Sequence, residues 1–251
     1  MIDKKHVSWL LLLLVGIVTP VAAEDVPAPS KLAQFFGFRP LEIFKLETRS
    51  ANLLAGDVDR DGLVDLVLVD NSHSRIDVLR QRKARPATEK AAAPDDDDVN
   101  QVKNDWRFEH RKIAVDKQIA AMVLGDFNGD GRNDLAYLGM PDRLIVRFQS
   151  PRGEWTKRLE YRVPDVTPSR GSLVTGDLDN NGRADLVLLG KNETSVFYQS
   201  ATGKLAPAKT LMNTSSKLGL AWVSDINGDG RADLLIAGFG MSQGYLVYGQ
   251  P

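Results

Sequence analysis

The sequence predicts an all-β protein assembled from repeated four-stranded antiparallel blades, and three observations carry that expectation. First, a nine-residue acidic motif occurs four times: Asp57-Val-Asp-Arg-Asp-Gly-Leu-Val-Asp65, Asp126-Phe-Asn-Gly-Asp-Gly-Arg-Asn-Asp134, Asp177-Leu-Asp-Asn-Asn-Gly-Arg-Ala-Asp185 and Asp225-Ile-Asn-Gly-Asp-Gly-Arg-Ala-Asp233. Second, position 10 is Leu in every copy (Leu66, Leu135, Leu186, Leu234) and opens a short run rich in Val, Leu and Ile. Runs of that length bounded by turn residues read as buried strands. Third, the copies begin at 57, 126, 177 and 225, a spacing near 50 once an insertion is removed from the first interval. A period of that size marks a repeat architecture. Four short strands per period, with no helical pattern between them, make one blade of a β-propeller.

The motif itself is a candidate metal loop. Calcium takes six to eight oxygen ligands at roughly 2.3–2.6 Å, and a loop curled round one ion presents alternate residues inward. Side-chain oxygens fall at positions 1, 3, 5 and 9: Asp57, Asp59, Asp61 and Asp65; Asp126, Asn128, Asp130 and Asp134; Asp177, Asp179, Asn181 and Asp185; Asp225, Asn227, Asp229 and Asp233. Position 7 is expected to offer its backbone carbonyl, which is why Leu63, Arg132, Arg183 and Arg231 can all stand there. Position 9 could bind through both carboxylate oxygens. Gly at position 6 permits the sharp turn, because glycine takes positive φ without steric cost. Three or four carboxylates share each loop, and at an effective dielectric of about 20 a pair 4 Å apart repels by about 4 kcal/mol. Magnesium seldom uses all-protein cages. Zinc and copper want imidazole or thiolate, which these loops lack. The expected cofactor is therefore Ca2+, up to one ion per loop.

An EF-hand or dockerin loop shares the first six positions but needs an acidic residue at position 12. Here position 12 is Leu68, Tyr137, Leu188 and Ile236. With the last carboxylate at position 9, the following residues enter a strand, as in Asp65-LVLV and Asp185-LVLL.

Along the chain, residues 1–23 read as a secretory signal: Lys4 and Lys5, an apolar stretch from Trp9 to Val18, and Val21-Ala22-Ala23 as a small-residue cleavage site. The apolar stretch is about ten residues, too short to span a bilayer. The expected location is secreted, periplasmic or cell-envelope, with no membrane span after cleavage. Residues 24–39 form a linker and 40–251 hold the repeats. Within them 82–104 is charged, Ala- and Pro-containing and almost free of large apolar residues, the composition of a disordered insertion. In the second period the four strands are expected at Ile119–Leu124, Leu135–Leu138, Arg143–Phe148 and Trp155–Arg162. The fourth period shows three strands. Two readings follow: a fragment of a longer propeller, or a four-bladed ring in which Pro40-Leu-Glu-Ile-Phe-Lys-Leu46 supplies the missing strand. The absence of cysteine removes disulfides as staples and leaves bound metal as an alternative.

The segments Asp225-INGDGRADLLIAGFGMSQGYLVYGQ and Val196-FYQSATGKLAPAKTL resemble the FG-GAP/VCBS repeat family, calcium-loop blades also found in the propellers of integrin α subunits. The resemblance covers about residues 40–251. It implies a propeller, usually of seven blades, with positions 1, 3, 5, 7 and 9 of each loop as calcium ligands.

No catalytic constellation accompanies the loops. Gly240-Met-Ser242-Gln-Gly244 has the form of a nucleophile elbow, but it joins two strands and only seven residues follow it. His73 and His110 lack metal-spaced neighbours. Trp106 and Trp155 open corresponding strands of successive blades, as blade packing requires; carbohydrate stacking is the other use of such residues. Formal net charge is −1 and no basic tract points to nucleic acid. The expectation is a non-enzymatic calcium-binding repeat protein with a surface for protein or glycan. The alternative is an accessory or catalytic propeller of a polysaccharide-acting extracellular enzyme. An adhesion module analogous to the integrin propeller is a third reading.

Overall fold

A computed structural model describes residues 46, 50–84, 106–206, 209–213, 215–238, 244–247 and 249. All belong to one compact unit, Ile43–Pro251. The expected signal sequence, the linker, residues 40–45, the 82–104 insertion and the Gly240–Gly244 elbow motif all hold residues outside this set.

The described residues form fifteen strands and no helix. Blade 1 holds β1 (Ser50–Gly56), β2 (Asp65–Asp70), β3 (Arg75–Gln81) and β4 (Phe108–Ala114). Blade 2 holds β5 (Ile119–Gly125), β6 (Asp134–Gly139), β7 (Arg143–Phe148) and β8 (Lys157–Arg162). Blade 3 holds β9 (Leu173–Gly176), β10 (Asp185–Leu189), β11 (Glu193–Phe197) and β12 (Lys209–Met212). Blade 4 shows β13 (Leu218–Ser224), β14 (Asp233–Gly238) and β15 (Tyr245–Val247). Each sheet is an antiparallel meander in sequence order, and each acidic motif spans the hairpin between the first two strands of its blade.

Successive blades touch through their first strands, β1 with β5, β5 with β9 and β9 with β13. The first strands are therefore innermost and the fourth are outermost. Exposure follows this order. β6 and β10 are buried along their whole length, whereas β8 and β12 are almost wholly exposed.

The apolar runs after the motifs of blades 2 and 3 are buried on both faces because each of these blades is sandwiched between two others. Alternation assigns the residues. Leu135 and Tyr137 pack back onto Val67, Val69, Ile76 and Val78 of blade 1. Ala136 and Leu138 pack forward onto Leu173, Leu186, Leu188 and Phe197 of blade 3. Blade 3 repeats the device, with Val187 and Leu189 meeting Leu234 and Ile236. Each fully buried Leu, Val or Phe contributes roughly 1.5–3 kcal/mol, so the inter-blade layers dominate the apolar burial.

Two boundaries differ from the sequence expectation. β8 starts at Lys157, two residues after Trp155, and β4 starts at Phe108, two after Trp106. Trp155 is a core residue (4% exposed) that donates its indole N–H to the Asn133 carbonyl at 3.2 Å. At Trp155, packing is the role seen. The insertion is also shorter at its front end than 82–104. Gln81 pairs with Phe108, and the next rung is made by Arg82, whose N–H donates to the Arg107 carbonyl at 2.6 Å. Residues 85–104 lie outside the described set.

Candidate metal centre

The four loops fold the same way, and backbone conformation shows why. Position 6 is left-handed in each: Gly62, Gly131, Gly182 and Gly230, with φ between 78° and 85°. Position 4 is left-handed too, which the sequence reading did not foresee. It is Gly129 and Gly228 in loops 2 and 4, Asn180 (φ 57°) in loop 3 and Arg60 (φ 66°) in loop 1. Two left-handed residues separated by one turn the intervening N–H groups inward.

Position 1 receives those groups. Asp57 accepts from the N–H of Asp61 and Gly62 (3.1 and 2.9 Å), and Asp177 from Asn181 and Gly182 (2.9 and 2.8 Å). Asp126 accepts from Gly129 and Gly131 (2.7 and 2.6 Å), and Asp225 from Gly228 and Gly230 (2.7 and 2.8 Å). Position 5 accepts the N–H of position 7: Leu63 on Asp61, Arg132 on Asp130 and Arg231 on Asp229 (2.8, 2.9 and 2.9 Å).

Position 9 is fully buried in every blade, and each of its two oxygens has a set partner. One oxygen accepts the N–H of position 2: Val58 on Asp65, Phe127 on Asp134, Leu178 on Asp185 and Ile226 on Asp233, at 2.8–3.0 Å. The other accepts an N–H at or just past the end of the facing third strand: Gln81, Gln149, Gln199 and Gly249, at 2.7–2.9 Å. Position 9 is therefore first a clamp between loop and sheet. An ion meeting it there takes the lone pairs that these bonds leave.

Convergence is clearest in loops 1 and 3. Carboxylate oxygens of Asp57, Asp59 and Asp61 lie within 4.8 Å of one another, as do those of Asp177, Asp179 and Asp185. In loops 2 and 4 position 3 is an asparagine that bonds within the loop. Asn128 accepts the Asp130 N–H at 2.9 Å and donates to its carboxylate at 3.2 Å; Asn227 does the same with Asp229 at 2.9 and 3.0 Å. In loop 3, the Asn181 side chain donates to the Gln199 carbonyl (3.0 Å) and its oxygen is buried without a hydrogen-bond partner. The position 7 side chains are not all bystanders. The Arg132 guanidinium sits 3.0 Å from an Asp130 oxygen, and Lys83 reaches the Asp61 carbonyl at 2.7 Å. Arg183 donates to the Asn181 carbonyl at 3.2 Å.

Electrostatics separate the blades. Burial, opposed by the two backbone N–H bonds and reinforced by neighbouring acids, raises the Asp65 and Asp185 carboxyls and pushes Asp134 up to about 7. Asp233 goes the other way. Its hydrogen bond from Gly249 outweighs burial and holds it below the ordinary carboxylate range. Among the described residues a further blade packs beyond the blades of Asp65, Asp134 and Asp185 but not beyond that of Asp233. The donor set in all four loops is oxygen alone, which fits calcium; bound there, the ion would supply positive charge to the clustered carboxylates.

Glutamine side chains link one loop to the next blade, a role that sequence reading missed. Gln149 of blade 2 donates its amide to the Val58 carbonyl of loop 1 at 2.7 Å, and Gln199 of blade 3 donates to the Asp126 carbonyl of loop 2 at 2.8 Å. Asn133 adds a bond to the Asp57 carbonyl at 2.7 Å. The glutamines lie 16, 15 and 14 residues after their aspartate partners. The offset changes with hairpin length, so a fixed-spacing scan does not find them. Of the histidines, His73 bonds the buried Asp70 carboxylate at 2.6 Å, and His110 sits in β4 opposite Leu79.

The model of the FG-GAP-like repeat matches residues 126–188 and 177–236, each match spanning two successive motifs. Residues 126–236 are FG-GAP-like repeats. The FG-GAP-like repeats so matched take in loops 2, 3 and 4, and the same clamp and register continue into blade 1. No curated protein matches the sequence. Among solved structures, similarity is found to an Agrocybe aegerita lectin described as recognising non-reducing terminal N-acetylglucosamine (14% identity, TM-score 0.49, 80% of this chain and 49% of that one). Two further structures are TcdB2-TccC3 (19% identity, TM-score 0.38, 54% of this chain and 7% of that one) and TcdB2-TccC3-Cdc42 (13% identity, TM-score 0.36, 78% and 14%). The chain thus spans about half the length of the lectin and a small part of the others.

Proposed function

We propose that this protein is a secreted, non-enzymatic scaffold whose loops each take a calcium ion and whose rim binds a protein or glycan ligand. The observation that supports this reading is the clustering of three carboxylates within 4.8 Å in loops 1 and 3, with only oxygen donors present. Such a cluster is self-repelling until a hard cation neutralises it. The ion then braces the hairpin that joins the two inner strands of each blade. Secretion rests on residues 1–23, with their basic start, apolar stretch and small-residue end.

Thermal unfolding with EGTA and with excess calcium tests the scaffold. The melting temperature should fall on chelation and recover on adding calcium but not magnesium. An unchanged melting temperature would remove calcium from the proposal. Binding of the calcium-loaded protein to glycan and protein arrays tests the rim, and its loss on chelation would tie the two parts together.

A further inference from the structure

Loops 1 and 2 border a cleft of about 360 Å³ whose walls carry four arginines. Arg60 stands at position 4 of loop 1, Arg80 near the end of β3, Arg132 at position 7 of loop 2 and Arg152 in the turn after β7. Arg132 is paired with Asp130. Among the described residues no carboxylate pairs with Arg60, Arg80 or Arg152. Arg80 donates one guanidinium N–H to the Gly153 carbonyl at 2.9 Å, and its Nε is buried with no hydrogen-bond partner. Asp59 is the one acid among the lining residues. The repeat does not demand this arrangement. At the next junction, between blades 2 and 3, the same four places hold Gly129, Phe148, Arg183 and Thr202, and Gly129 lies against Gly203. Arg60 also holds φ 66° where the other loops have glycine or asparagine. Backbone strain kept at a residue that lines a charged cleft points to a use for its side chain.

We propose that this cleft is an anion site, and that it takes the sulfate or phosphate ester of an acidic glycan. The inference rests on the reading of the rim as a glycan surface and gives that surface a place and a ligand chemistry. Guanidinium forks bind the oxygens of tetrahedral anions in pairs. Arg60, Arg80 and Arg152, set against Asp59, leave positive charge that one carboxylate ligand would not neutralise, whereas a dianionic ester or two neighbouring sulfate groups would. The lining also selects the carrier. It holds no aromatic ring on which a nucleic-acid base could stack. Apart from Pro151 it is polar or glycine, so it offers no apolar anchor for a peptide side chain. The hydroxyl of Ser150 and the amide of Gln149 suit sugar hydroxyls instead. The arginines need no metal ion, so this binding does not depend on calcium.

Titration calorimetry of the full chain is the test, run with calcium and again with EGTA. The probes are a sulfated heparin oligosaccharide, its desulfated counterpart, a sugar phosphate, inorganic sulfate and phosphate, and a single-stranded oligonucleotide of equal charge. The sulfated oligosaccharide or the sugar phosphate should bind in both conditions, the tighter of the two naming the source of the ester, and the desulfated sugar should not bind. Arg152→Gln and Arg60→Asn should each weaken binding about tenfold. Both residues are exposed, and circular dichroism should show both variants folded. Arg170→Gln removes the same charge from an exposed arginine outside the cleft and should leave the affinity unchanged. An equal loss in Arg170→Gln, or no loss in either cleft variant, would overturn the proposal. So would an oligonucleotide bound as tightly as the esters, or inorganic ions bound as tightly, which would mark an adventitious ion only. Binding that vanishes in EGTA while the protein stays folded would put the ligand on the metal ion and sink the arginine site. A neutral glycan or a protein captured on the arrays, with no response to either ester, would remove this inference and leave the rim reading standing.

Discussion

Arg60 is the residue at which sequence and conformation disagree. The other three loops place Gly129, Asn180 and Gly228 at position 4, types that accept a left-handed backbone, whereas Arg60 holds φ 66° with a long side chain. That conformation costs an ordinary residue roughly 1–2 kcal/mol, and asparagine recovers part of it. Arg60→Asn should therefore raise stability by about 0.5–1 kcal/mol in chemical denaturation. A loss of stability would show that its guanidinium, which lies beside Gly131 of the next loop, contributes more than the strain. Asp134 carries a second prediction at this scale. In the chelated protein its folded carboxyl titrates near 7 against 3.8 for the ordinary group. A raised folded value means that its contribution is complete below about pH 3.9 and is lost as pH rises through about 7. Chelated wild type should lose more stability than chelated Asp134→Asn between about pH 5 and about pH 8 in urea melts. Parallel pH profiles would contradict the assignment. Since calcium needs the ionised form, its affinity should also weaken on acidification below about pH 7.

Elements are joined by a few directed bonds on top of the apolar layers. At the loop end, Gln149 and Gln199 reach back to the preceding loop. At the other end, Asn71 makes two bonds with the backbone of Ile119 (2.9 and 2.8 Å), and the Ser169 hydroxyl donates to the Gly219 carbonyl at 2.7 Å. These contacts fall on or beside the register irregularities in β5 and β13, where an offset residue frees backbone groups for the neighbouring blade. Gln149→Ala leaves the buried Val58 carbonyl without its donor. An unsatisfied buried group costs about 1–3 kcal/mol, and that loss should appear in equilibrium unfolding with the calcium-loaded protein. Gln81→Ala is the comparison, because its clamp to Asp65 uses only the backbone N–H; it should cost less. What could be read in advance divides along the same line. The hairpin position of each loop followed from Leu at position 10 and the apolar run behind it. The clamp by position 9 was not legible, because its partners lie across the sheet at varying offsets. Nor was the left-handed position 4, since Arg60 obscures the Gly/Asn pattern of the other copies.

For the whole molecule, stability should follow calcium by mass action. One site at a hundredfold excess over its dissociation constant adds about 2.7 kcal/mol, so the melting temperature should keep rising with calcium concentration rather than jump once. A melting temperature that stops rising at high calcium would contradict linked binding to the native state. The blades are not equivalent in this respect. Asp134 and Asp185 are raised by burial beneath a following blade, and Asp233 is not. Loop 4 therefore carries less uncompensated charge to relieve. The recurrence of the motif made this architecture readable from the chain. The exposure of Trp222 and Leu235 on blade 4 was hidden, since they are as apolar as their buried counterparts and only their surroundings differ.

The glutamine bonds have a polarity that bears on how the chain matures. Each runs from a later blade to an earlier loop, never the reverse: Gln149 closes the Val58 carbonyl 91 residues upstream, and Gln199 closes Asp126 at a distance of 73. In a chain synthesised from its N-terminus, loop 1 is incomplete until the third strand of the second blade has emerged and settled. For loops 1 and 2 maturation thus travels one blade behind synthesis, each of these hairpins being finished by its successor.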